Sequence, residues 1–489
     1  MLTLVMSFSD FGMSRWLSAL PPYRPPALSA IAADLWCRAP GLAAARIRAP
    51  IAARSILWAT ARTDPPVTAT IAGPRAHPGL FSPDAPPINL ARTSFPPPLR
   101  PEAGLSVLDI TKYFGEKTGG IRTYLLEKAR YVEANPSLRQ VLIVPGPEDT
   151  LTESVGVRAY RLRGPRIPTE EAYRFLLATR TTHRILDHER PDIVEVGSPF
   201  FVPWITRRAN RDLKAPMVWF FHTHLPRIIG GGRSGAAANA ATALTWSYFR
   251  RLNRLFRATL VASESLAREL ASEGIERVYQ VPLGVDLDRF HPSRQAGQSE
   301  TRRRLNLPDG PLAVFLGRLA REKQLDVVLE AWPEVERRTG ATLLLVGDGP
   351  ARRRLEAQSK SRRIVWVPFM SDRDLTADLL AAADLYVAPG PAETFGLSAL
   401  EAMAAGIPVL SVDRGGVADR IRDSGAGALY PAGDSPALAE AAIRLLQGDL
   451  RALGQTARRY AEKHHSWPAA FGRIFEVYRE VLGGLRIAD

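Results

Sequence analysis

The sequence predicts an α/β protein with two doubly wound domains, preceded by an extension of irregular structure. From residue 105 onward, short apolar runs alternate with helix-like segments, and these runs fall into two groups. Apolar runs separated by helices indicate strands that are buried on both faces of parallel sheets. About twelve such strands in two groups indicate two domains rather than one closed barrel.

The predicted strands occur in chain order as two sets of six. The first set is SVLDIT, QVLIVPG, DIVEVGSP, PMVWFFHTH, ATLVAS and RVYQVPLG, and the second is LAVFLGR, TLLLVGDG, IVWVPF, DLYVAPG, PVLSVD and ALYPAG. The linker LGVDLDRFHPSRQAGQ separates them, which places an N-terminal domain at 105–290 and a C-terminal domain at 291–465. Because ligands of such folds bind beyond the carboxyl ends of the strands, we expect the site in the cleft where the two sheets face each other.

Residues 1–104 have a different composition. They contain 17 of the 40 prolines and no sustained apolar period, which favours a mostly disordered segment. The segment is rich in arginine and poor in acids, as transit peptides are, but arginine outnumbers lysine along the whole chain. Three explanations of this composition stay open: a targeting segment, a compositional bias of the genome, or an over-long start of the chain.

Composition excludes several classes of protein. The hydrophobic fraction of 46% and the charged fraction of 23% are ordinary for a soluble globular chain. Cys37 is the only cysteine, which excludes an intrachain disulfide and a thiolate metal cluster and indicates a reducing compartment. The first residues lack a cationic leader, and no apolar run has the length of a membrane-spanning helix, so we expect a cytoplasmic protein.

The chain has a formal charge of +14, and residues 213–263 contain no Asp or Glu. Within it, TWSYFRRLNRLFR has apolar residues at helical spacing with arginines between them. Such a basic amphipathic helix suits peripheral contact with an anionic membrane. The alternative is a helix packed on a sheet by its apolar stripe, with a solvated basic face. Since no nucleic-acid recognition motif accompanies the charge, nucleic acid is not an expected partner.

Two motifs follow strands of the N-terminal domain. In KTGGIRT, Gly119 and Gly120 precede a helix, so the backbone there can approach a ligand and the helix N-terminus favours an anion. A plain tight turn is the alternative. In FFHTHLP, His222 and His224 are placed at the cleft. Because no carboxylate or cysteine accompanies these histidines, we predict no metal site there.

Cations follow the first strand of the C-terminal domain. In GRLAREK, Arg318 and Lys323 combine a guanidinium with an ammonium group, which suits a diphosphate; a solvated surface pair is the alternative. The glycines of GDGPAR do not complete a dinucleotide fingerprint. The DRD at 372–374 resembles a metal-binding Asp-x-Asp motif, but its position at a polar helix start favours capping.

Two glutamates eight positions apart (401 − 393) lie in the stretch GPAETFGLSALEAMAAGIPVLS. Gly396 and Leu397 open a helix whose free N–H groups can receive phosphate. Glu401, about a turn and a half into this helix, is placed to accept hydrogen bonds from the hydroxyls of a ribose. Glu393, in the preceding loop, is placed against the group on the distal phosphate. With the two cations, these residues predict a nucleotide-diphospho-sugar as ligand.

Together these motifs resemble the retaining glycosyltransferases of family 4, the group 1 type with the GT-B fold, over roughly residues 105–489. The motifs that carry the resemblance are GRLAREK, AETFGLSALEAMAAGIPVLS, the GGI loop, FHT, VPLGVDLDRFHP and DRGGVAD. The resemblance implies two Rossmann-like domains facing across a cleft, a nucleotide-sugar donor, and no metal or other cofactor. The last segment, 466–489, resembles the family's C-terminal helix, which crosses back to the N-terminal domain.

The resemblance also implies a role for each candidate residue. It places Arg318 and Lys323 on the diphosphate, Glu401 on the ribose and His222 near the transferred sugar. It surrounds the donor sugar and phosphates with Glu393 and the backbone of Phe395, Gly396 and Leu397, and it places Gly119 and Gly120 at the acceptor and phosphate side. Glu393, His222, Arg318 and Lys323 are the implied catalytic residues.

Three functions remain open at this point. The first is transfer of a hexose, with retention, from a GDP- or UDP-sugar to a glycan, a membrane glycolipid or a lipid-linked sugar. EVGSPFFVPW and FFHTHLPR further resemble family members that mannosylate lipids. The second is epimerisation of a nucleotide sugar on the same scaffold, which does not explain a basic acceptor domain. The third is a non-catalytic nucleotide-sugar-binding subunit, against which the intact glutamate and cation pairs argue.

Overall fold

The structure is a computed structural model. It describes residues 88–90, 95–98, 104–115, 119–167, 170–230, 235–359, 361 and 363–486. Residues 1–87, most of the predicted extension, lie outside the described residues.

The first sheet belongs to the N-terminal domain. In the described part of the chain its strand order is β1-β4-β5-β3-β2-β8-β9-β10-β11. The strands of this domain are β1 (Ile88–Asn89), β2 (Leu105–Ile110), β3 (Leu138–Gly146), β4 (Thr150–Ser154), β5 (Val157–Arg163), β6 (Arg166–Ile167), β7 (Glu170–Arg174), β8 (Ile193–Val196), β9 (Met217–Phe220), β10 (Ala258–Val261) and β11 (Val278–Gln280). Strands β6 and β7 form a separate antiparallel pair, and β4 pairs antiparallel with β1 and β5, while the other ladders are parallel.

The second sheet belongs to the C-terminal domain and is entirely parallel over its described strands, in the order β14-β13-β12-β15-β16-β17. Its strands are β12 (Leu312–Leu316), β13 (Thr342–Val346), β14 (Ile364–Val367), β15 (Leu385–Ala388), β16 (Val409–Val412) and β17 (Gly427–Tyr430). The strand order reverses beside β2 in the first sheet and beside β12 in the second, which places a ligand crevice at the carboxyl ends of these central strands.

Helices cover both sheets. They are α1 (Gly120–Glu133), α2 (Thr179–Glu189), α3 (Phe201–Ala209), α4 (Leu225–Gly230), α5 (Ala236–Asn253), α6 (Glu264–Ser272), α7 (Gln298–Arg304), α8 (Leu325–Thr339), α9 (Arg352–Gln358), α10 (Arg373–Ala381), α11 (Leu397–Ala404), α12 (Gly416–Ser424), α13 (Ser435–Gln447), α14 (Leu450–His464) and α15 (Trp467–Arg486). Two short 3₁₀ turns, Pro292–Gly297 and Arg321–Lys323, lie in the C-terminal domain.

The predicted fold class is confirmed, because two doubly wound α/β units face each other across a cleft. All twelve predicted strands are present, as β2, β3 and β8–β17. The sequence did not predict the β4–β5 hairpin. Its second strand, VRAYRLR, carries three arginines among its seven residues, and one of them, Arg158, is buried in an ion pair with Glu189 at 2.6 Å. Buried charge in a strand hides the apolar alternation that reveals most strands.

Helix α5 contains most of the basic amphipathic segment. Its apolar stripe is buried in the N-terminal core, where Trp246, Phe249 and Leu252 are at most 6% exposed. The Phe249 ring meets the Trp219 ring edge to face, with a centroid distance of 5.2 Å. The stripe therefore packs on the sheet, and the arginines form a solvated face. Among the described residues, no helix combines the length and apolarity needed to cross a bilayer.

The last described helix returns to the N-terminal domain. Helix α15 packs on α1, where the Lys128 ammonium group donates a hydrogen bond to the Tyr478 hydroxyl at 2.8 Å. One turn away, the rings of Tyr131 and Phe475 stack at 5.7 Å. Because α15 follows the C-terminal sheet in the chain, these contacts join the two domains.

The described part of the predicted extension packs on the N-terminal domain. The Phe95 ring lies 5.1 Å from the ring of His188. A ring nitrogen of His188 makes a 2.7 Å hydrogen bond with the Pro96 carbonyl, and Arg158 donates to the Pro97 carbonyl at 2.9 Å. Residues 95–97 therefore complete the surroundings of a buried arginine, although they precede the first predicted strand.

We expect a variant that starts at residue 103 to be less stable than one that starts at residue 87. The longer truncation removes the Phe95 contact and leaves Arg158 and His188 without their carbonyl acceptors, at a cost of about 2 kcal/mol in the free energy of unfolding. Urea denaturation of the two variants measures this difference. Equal midpoints would show that residues 87–102 contribute no stability.

Candidate active site

The carboxyl ends of the two sheets meet at a small set of loops. The Thr394 hydroxyl, after β15, donates to the His222 carbonyl, after β9, at 3.0 Å. Arg227 of α4 donates to the Pro391 carbonyl at 3.1 Å. Here the predicted donor loop, residues 389–396, touches the N-terminal domain directly. The cleft predicted from the strand order is therefore bordered by side chains of both domains.

The glycine loop and the donor helix face each other across this cleft. A Cβ atom at Gly120 would lie 3.9 Å from the side chain of Leu397, the first residue of α11. Gly119 has a φ of 91° and nothing within 4 Å of a Cβ position, so its conformation, rather than crowding, requires glycine. The N-termini of α1 and α11 thus border the same space.

The start of α11 depends on close packing against α12. Gly396 has a φ of 75°, and a Cβ atom there would lie 2.3 Å from the Val417 side chain. Buried Arg420 donates to the carbonyls of Phe395 at 2.5 Å and Gly396 at 2.9 Å, and its guanidinium lies 4.3 Å from the Phe395 ring centroid. Burial lowers the pKa of Arg420 to about 10, so the group stays charged at neutral pH. These contacts hold the loop that precedes the helix.

Arg318 and Lys323 lie together on the C-terminal domain, and each is paired with a glutamate. Arg318 donates to Glu322 at 2.6 Å, and the Lys323 ammonium group contacts the Glu393 carboxylate. Burial, reinforced by the charge of Arg318, lowers the pKa of Lys323 to about 8, against the opposing effect of Glu322. The structure therefore brings three predicted site residues together: Arg318, Lys323 and Glu393.

The turn of GDGPAR supports this cation pair. A Cβ atom at Gly347 would lie 2.0 Å from the Gly317 carbonyl oxygen, and one at Gly349 would lie 2.4 Å from that of Leu319. Both glycines allow the loop after β13 to pack against the loop that carries Arg318. Their role is backbone packing.

Glu401 is buried in α11 and accepts a hydrogen bond from Arg373 at 2.6 Å. Burial raises the pKa of Glu401, and the charge of Arg373 opposes that rise. Arg373 belongs to the DRD segment, whose Asp372 caps α10 by accepting from the backbone N–H of Asp374 and Leu375. The predicted capping role is confirmed. The arginine between the two aspartates was not predicted as part of the site.

His222 lies at the end of β9, with its ring stacked on Phe220 at a centroid distance of 4.1 Å. The ring of Tyr124, from α1, lies 5.3 Å away. Burial, with a smaller effect of the Lys128 charge, lowers the pKa of His222 to about 3. The imidazole is therefore neutral at physiological pH. It can exchange hydrogen bonds with a sugar but cannot act as a cationic acid.

His224 differs from His222 in its surroundings. It is 2% exposed, and its Nε2 lies 3.0 Å from a carboxylate oxygen of Glu269. Within the described residues, no three His, Cys, Asp or Glu side chains are grouped as metal ligands.

Sequence reasoning missed four residues that hold the site together: Arg373, Arg420, Thr394 and Arg227. Arg420 directly follows the quoted motif DRGGVAD, and Thr394 lies between two predicted residues of another quoted motif, but neither motif reveals what these two residues contact. Each partner is distant in the sequence or is a backbone carbonyl. Neither kind of contact has a sequence signature.

Comparison with known families agrees with this geometry. Residues 118–289 match the family "Glycosyltransferase Family 4", and residues 310–448 match "Glycosyl transferases group 1". The first match covers most of the N-terminal sheet and the second covers the donor loops.

Curated relatives extend over most of the chain. A GDP-mannose-dependent alpha-(1-6)-phosphatidylinositol dimannoside mannosyltransferase of Mycobacterium tuberculosis is 32% identical over 372 residues, which are 73% of this chain and 92% of the relative. A GDP-mannose-dependent alpha-mannosyltransferase of Corynebacterium glutamicum is 26% identical over 384 residues, 77% of this chain and 89% of the relative.

Solved structures share the fold at lower identity. A sucrose-phosphate synthase from Thermosynechococcus elongatus has a TM-score of 0.62 and 21% identity, over 78% of this chain and all (100%) of that one. The Anabaena protein HepE in complex with UDP-glucose has a TM-score of 0.61 and 17% identity, over 77% and 100% of the two chains. The fold, the motif geometry and the identity to curated relatives together show that this chain belongs to the family 4, group 1 glycosyltransferases with the GT-B fold.

Proposed function

We propose that this glycosyltransferase transfers mannose from GDP-mannose to a phosphatidylinositol-based glycolipid, with retention of anomeric configuration and without a metal ion. The observation that carries the proposal is the 32% identity to a mannosyltransferase whose name gives GDP-mannose as donor and phosphatidylinositol dimannoside as the lipid. The match covers 92% of that relative's length. A second relative in Mycobacterium tuberculosis, also 32% identical, is likewise named a GDP-mannose-dependent alpha-mannosyltransferase.

The donor diphosphate would lie between the cation pair and the start of α11. Arg318 offers a planar guanidinium and Lys323 a point charge, and both are on the loop that follows β12. The free N–H groups at Gly396 and Leu397 add donors that need no reorganisation. Preorganised donors stabilise the negative charge that grows on a leaving diphosphate, which is the main task of catalysis in this reaction.

Glu393 and Glu401 would hold the two ends of the donor. Glu401, from within α11, would accept hydrogen bonds from the ribose hydroxyls. Glu393, in the loop before the helix, would accept them from the sugar. A donor that spans the start of α11 explains why Glu393 precedes this helix and Glu401 lies within it, about two turns later in the chain. His222 would border the transferred sugar as a neutral group.

Retention would follow from a same-face displacement. The bond between the anomeric carbon and the diphosphate oxygen breaks while the acceptor oxygen bonds to the same face of the sugar. The acceptor proton passes to an oxygen of the leaving diphosphate, so no protein base is required. Fixed cations and helix N–H groups then take the electrostatic role that a divalent metal has in other enzymes.

A peripheral membrane contact on the cytoplasmic side would bring the enzyme to its lipid. Arg251, Arg254 and Arg257 are exposed at the C-terminal end of α5 and just beyond it. Because the apolar stripe of this helix is buried in the core, the contact would be electrostatic rather than insertive.

The decisive experiment offers the protein GDP-mannose, UDP-glucose or another labelled sugar nucleotide with vesicles that contain phosphatidylinositol or phosphatidylinositol dimannoside, in excess EDTA. We expect label from GDP-mannose to enter the lipid as an α-linked mannose. Conversion of the donor without transfer would indicate an epimerase, and donor binding without either reaction would indicate a non-catalytic subunit. Loss of activity in EDTA that magnesium restores would contradict metal independence and direct attention to the DRD segment.

We expect Lys323→Ala to reduce turnover about a hundred-fold, since it removes one preorganised contact to the leaving group. Because Lys323 lies at the cleft, thermal stability should change little. The matched control is Lys463→Ala, at an exposed position of α14. Wild-type turnover by Lys323→Ala would refute the assignment of this lysine to the diphosphate.

The triple change of Arg251, Arg254 and Arg257 to glutamine should weaken binding to anionic vesicles. Each basic residue near an anionic surface contributes about 1 kcal/mol, and salt screens this attraction. Co-sedimentation at low and high salt measures it.

A matched control removes the same charge from the C-terminal domain, by changing the exposed residues Arg303, Arg337 and Arg353 to glutamine. If the wild-type protein does not bind anionic vesicles at low salt, the proposed membrane contact is wrong. If both triple variants lose binding equally, the contact is not specific to α5.

A further inference from the structure

The DRD segment, residues 372–374, makes one contact that its capping role does not require. Arg373, the first residue of α10, donates a hydrogen bond from Nη2 to Oε1 of Glu401 in α11, at 2.6 Å. The Glu401 side chain is 3% exposed, and that of Arg373 is 37% exposed. A buried carboxylate that has lost its hydration needs a cation or hydrogen-bond donors as compensation. Among the described residues, Arg373 is the one that donates a hydrogen bond to this carboxylate.

The Arg373 guanidinium is also held from the side of the linker, residues 283–298. It lies 5.0 Å from the centroid of the Phe290 ring, and Phe290 is completely buried. A guanidinium over an aromatic face gains a cation–π attraction, which is stronger where water is excluded. Phe290 and Glu401 therefore hold the guanidinium at two points, one in the linker and one in α11.

Ion pairs fix the start of α10 to the same linker. Arg294 donates to Asp374 at 2.8 Å and to Asp378 at 2.6 Å, and Arg289 donates to Asp374 at 3.3 Å. Exposed pairs of this kind contribute little free energy one by one, but several charges in a network restrict the geometry of their segments. The backbone that carries Arg373 is therefore anchored beside the linker.

Arg373 stays charged in these surroundings. Burial lowers its pKa, but the charges of Glu401, Glu127 and Asp286 raise it by more, so the pKa lies above the ordinary value for arginine. Glu127 belongs to α1 of the N-terminal domain, and Asp286 belongs to the linker. A change of Glu401 to glutamine would leave the arginine with two anionic neighbours, which makes that variant usable in a test.

The hydrogen bond from Arg373 occupies one of the two Glu401 oxygens. It goes to Oε1, and none of the described residues donates a hydrogen bond to Oε2. An ionised carboxylate accepts on both oxygens, whereas a protonated one places an O–H donor on one of them. Burial raises the pKa of Glu401, and Arg373 is the main group that opposes this rise. Arg373 therefore favours the form of Glu401 that can accept from two neighbouring hydroxyls.

We propose that Arg373 is a positioning residue of the donor site, which holds the Glu401 carboxylate so that Oε2 accepts hydrogen bonds from the vicinal hydroxyls of the donor ribose. The pair thereby selects ribonucleotide sugars over those that lack these hydroxyls. The proposal rests on the proposed function, since it names the residue that completes the ribose subsite of this glycosyltransferase. Arg373 acts through Glu401 and makes no contact of its own with the donor.

The test measures the Kd of GDP and of 2′,3′-dideoxy-GDP, which differ only in the ribose hydroxyls, by isothermal titration calorimetry. The proteins are wild type, Arg373→Met, Arg373→Lys, Glu401→Gln and the double variant of Arg373→Met with Glu401→Gln. The matched control is Arg353→Met, at an exposed position of α9 in the same domain. Melting temperatures report whether each variant is folded.

We expect wild type to bind GDP about ten-fold or more tightly than the dideoxy nucleotide, because hydrogen bonds to a charged acceptor are lost with the hydroxyls. Arg373→Met should bring this ratio close to one by weakening the binding of GDP alone. Arg373→Lys should retain part of the ratio, since an ammonium group keeps the charge without the planar geometry. Arg353→Met should leave both Kd values unchanged.

Glu401→Gln should lower the ratio in the same way, and the double variant should add nothing to it, because residues that act through one contact are not additive. The double variant also keeps the test decisive if Arg373→Met leaves a buried charge that prevents folding. Weaker binding of both nucleotides after loss of Arg373 would show that the arginine contacts the base or phosphate itself. A wild-type ratio together with a lower melting temperature would show a purely structural ion pair. Either result overturns the proposal.

The proposed function can fail without changing this ratio, since the ratio depends on nucleotide binding and not on transfer to phosphatidylinositol. If wild type binds UDP and not GDP, the proposed donor is wrong, and the same ratio is measured with UDP and 2′,3′-dideoxy-UDP. Wild type that binds neither nucleotide, or that binds the ribose and dideoxyribose forms equally, overturns the ribose site and the role of Arg373 together.

Discussion

A buried ammonium group, that of Lys128, joins segments of the chain that are far apart in sequence. It lies 2.7 Å from a carboxylate oxygen of Asp109 on β2, 3.4 Å from Glu195 on β8 and 2.8 Å from the Tyr478 hydroxyl on α15. Removal of one member of a buried charge network costs about 3–5 kcal/mol, because it leaves its partner uncompensated. This network links helix α1 to strands β2 and β8 and to the last helix, α15. It therefore holds the chain that follows the C-terminal domain in place on the N-terminal domain.

The same network determines the surroundings of His222. Burial raises the pKa of Glu195 to about 7, although Lys128 opposes the rise, so this carboxylate is sensitive to its hydrogen-bond donors. One donor is the Tyr124 hydroxyl, at 3.1 Å, and the Tyr124 ring forms one wall of the His222 site. The charge of Lys128 also disfavours protonation of the imidazole. Burial is the main reason that the pKa of His222 is low, and the ion cluster that packs the helices together lowers it further.

The parts of the fold that follow from local patterns could be predicted, and those that depend on distant partners could not. Apolar runs and glycine turns revealed the parallel strands and the loops at their carboxyl ends, because each is determined by a few neighbouring residues. Arg158 shows the limit, since its burial depends on Glu189 and on the Pro97 carbonyl, and a strand carrying it appears too polar to be buried. For the same reason, motifs located Glu401 but not its partner Arg373, which lies 28 residues earlier and on another helix.

Two predicted site cations are each neutralised by a carboxylate. On the donor side, Lys323 is paired with Glu393 and Arg318 with Glu322, so these cations are held in position at little cost to folding. Under the proposed function, a diphosphate that binds these cations would replace their carboxylate partners and would release Glu393 toward the sugar hydroxyls. Donor binding would then complete the sugar site as well as the phosphate site.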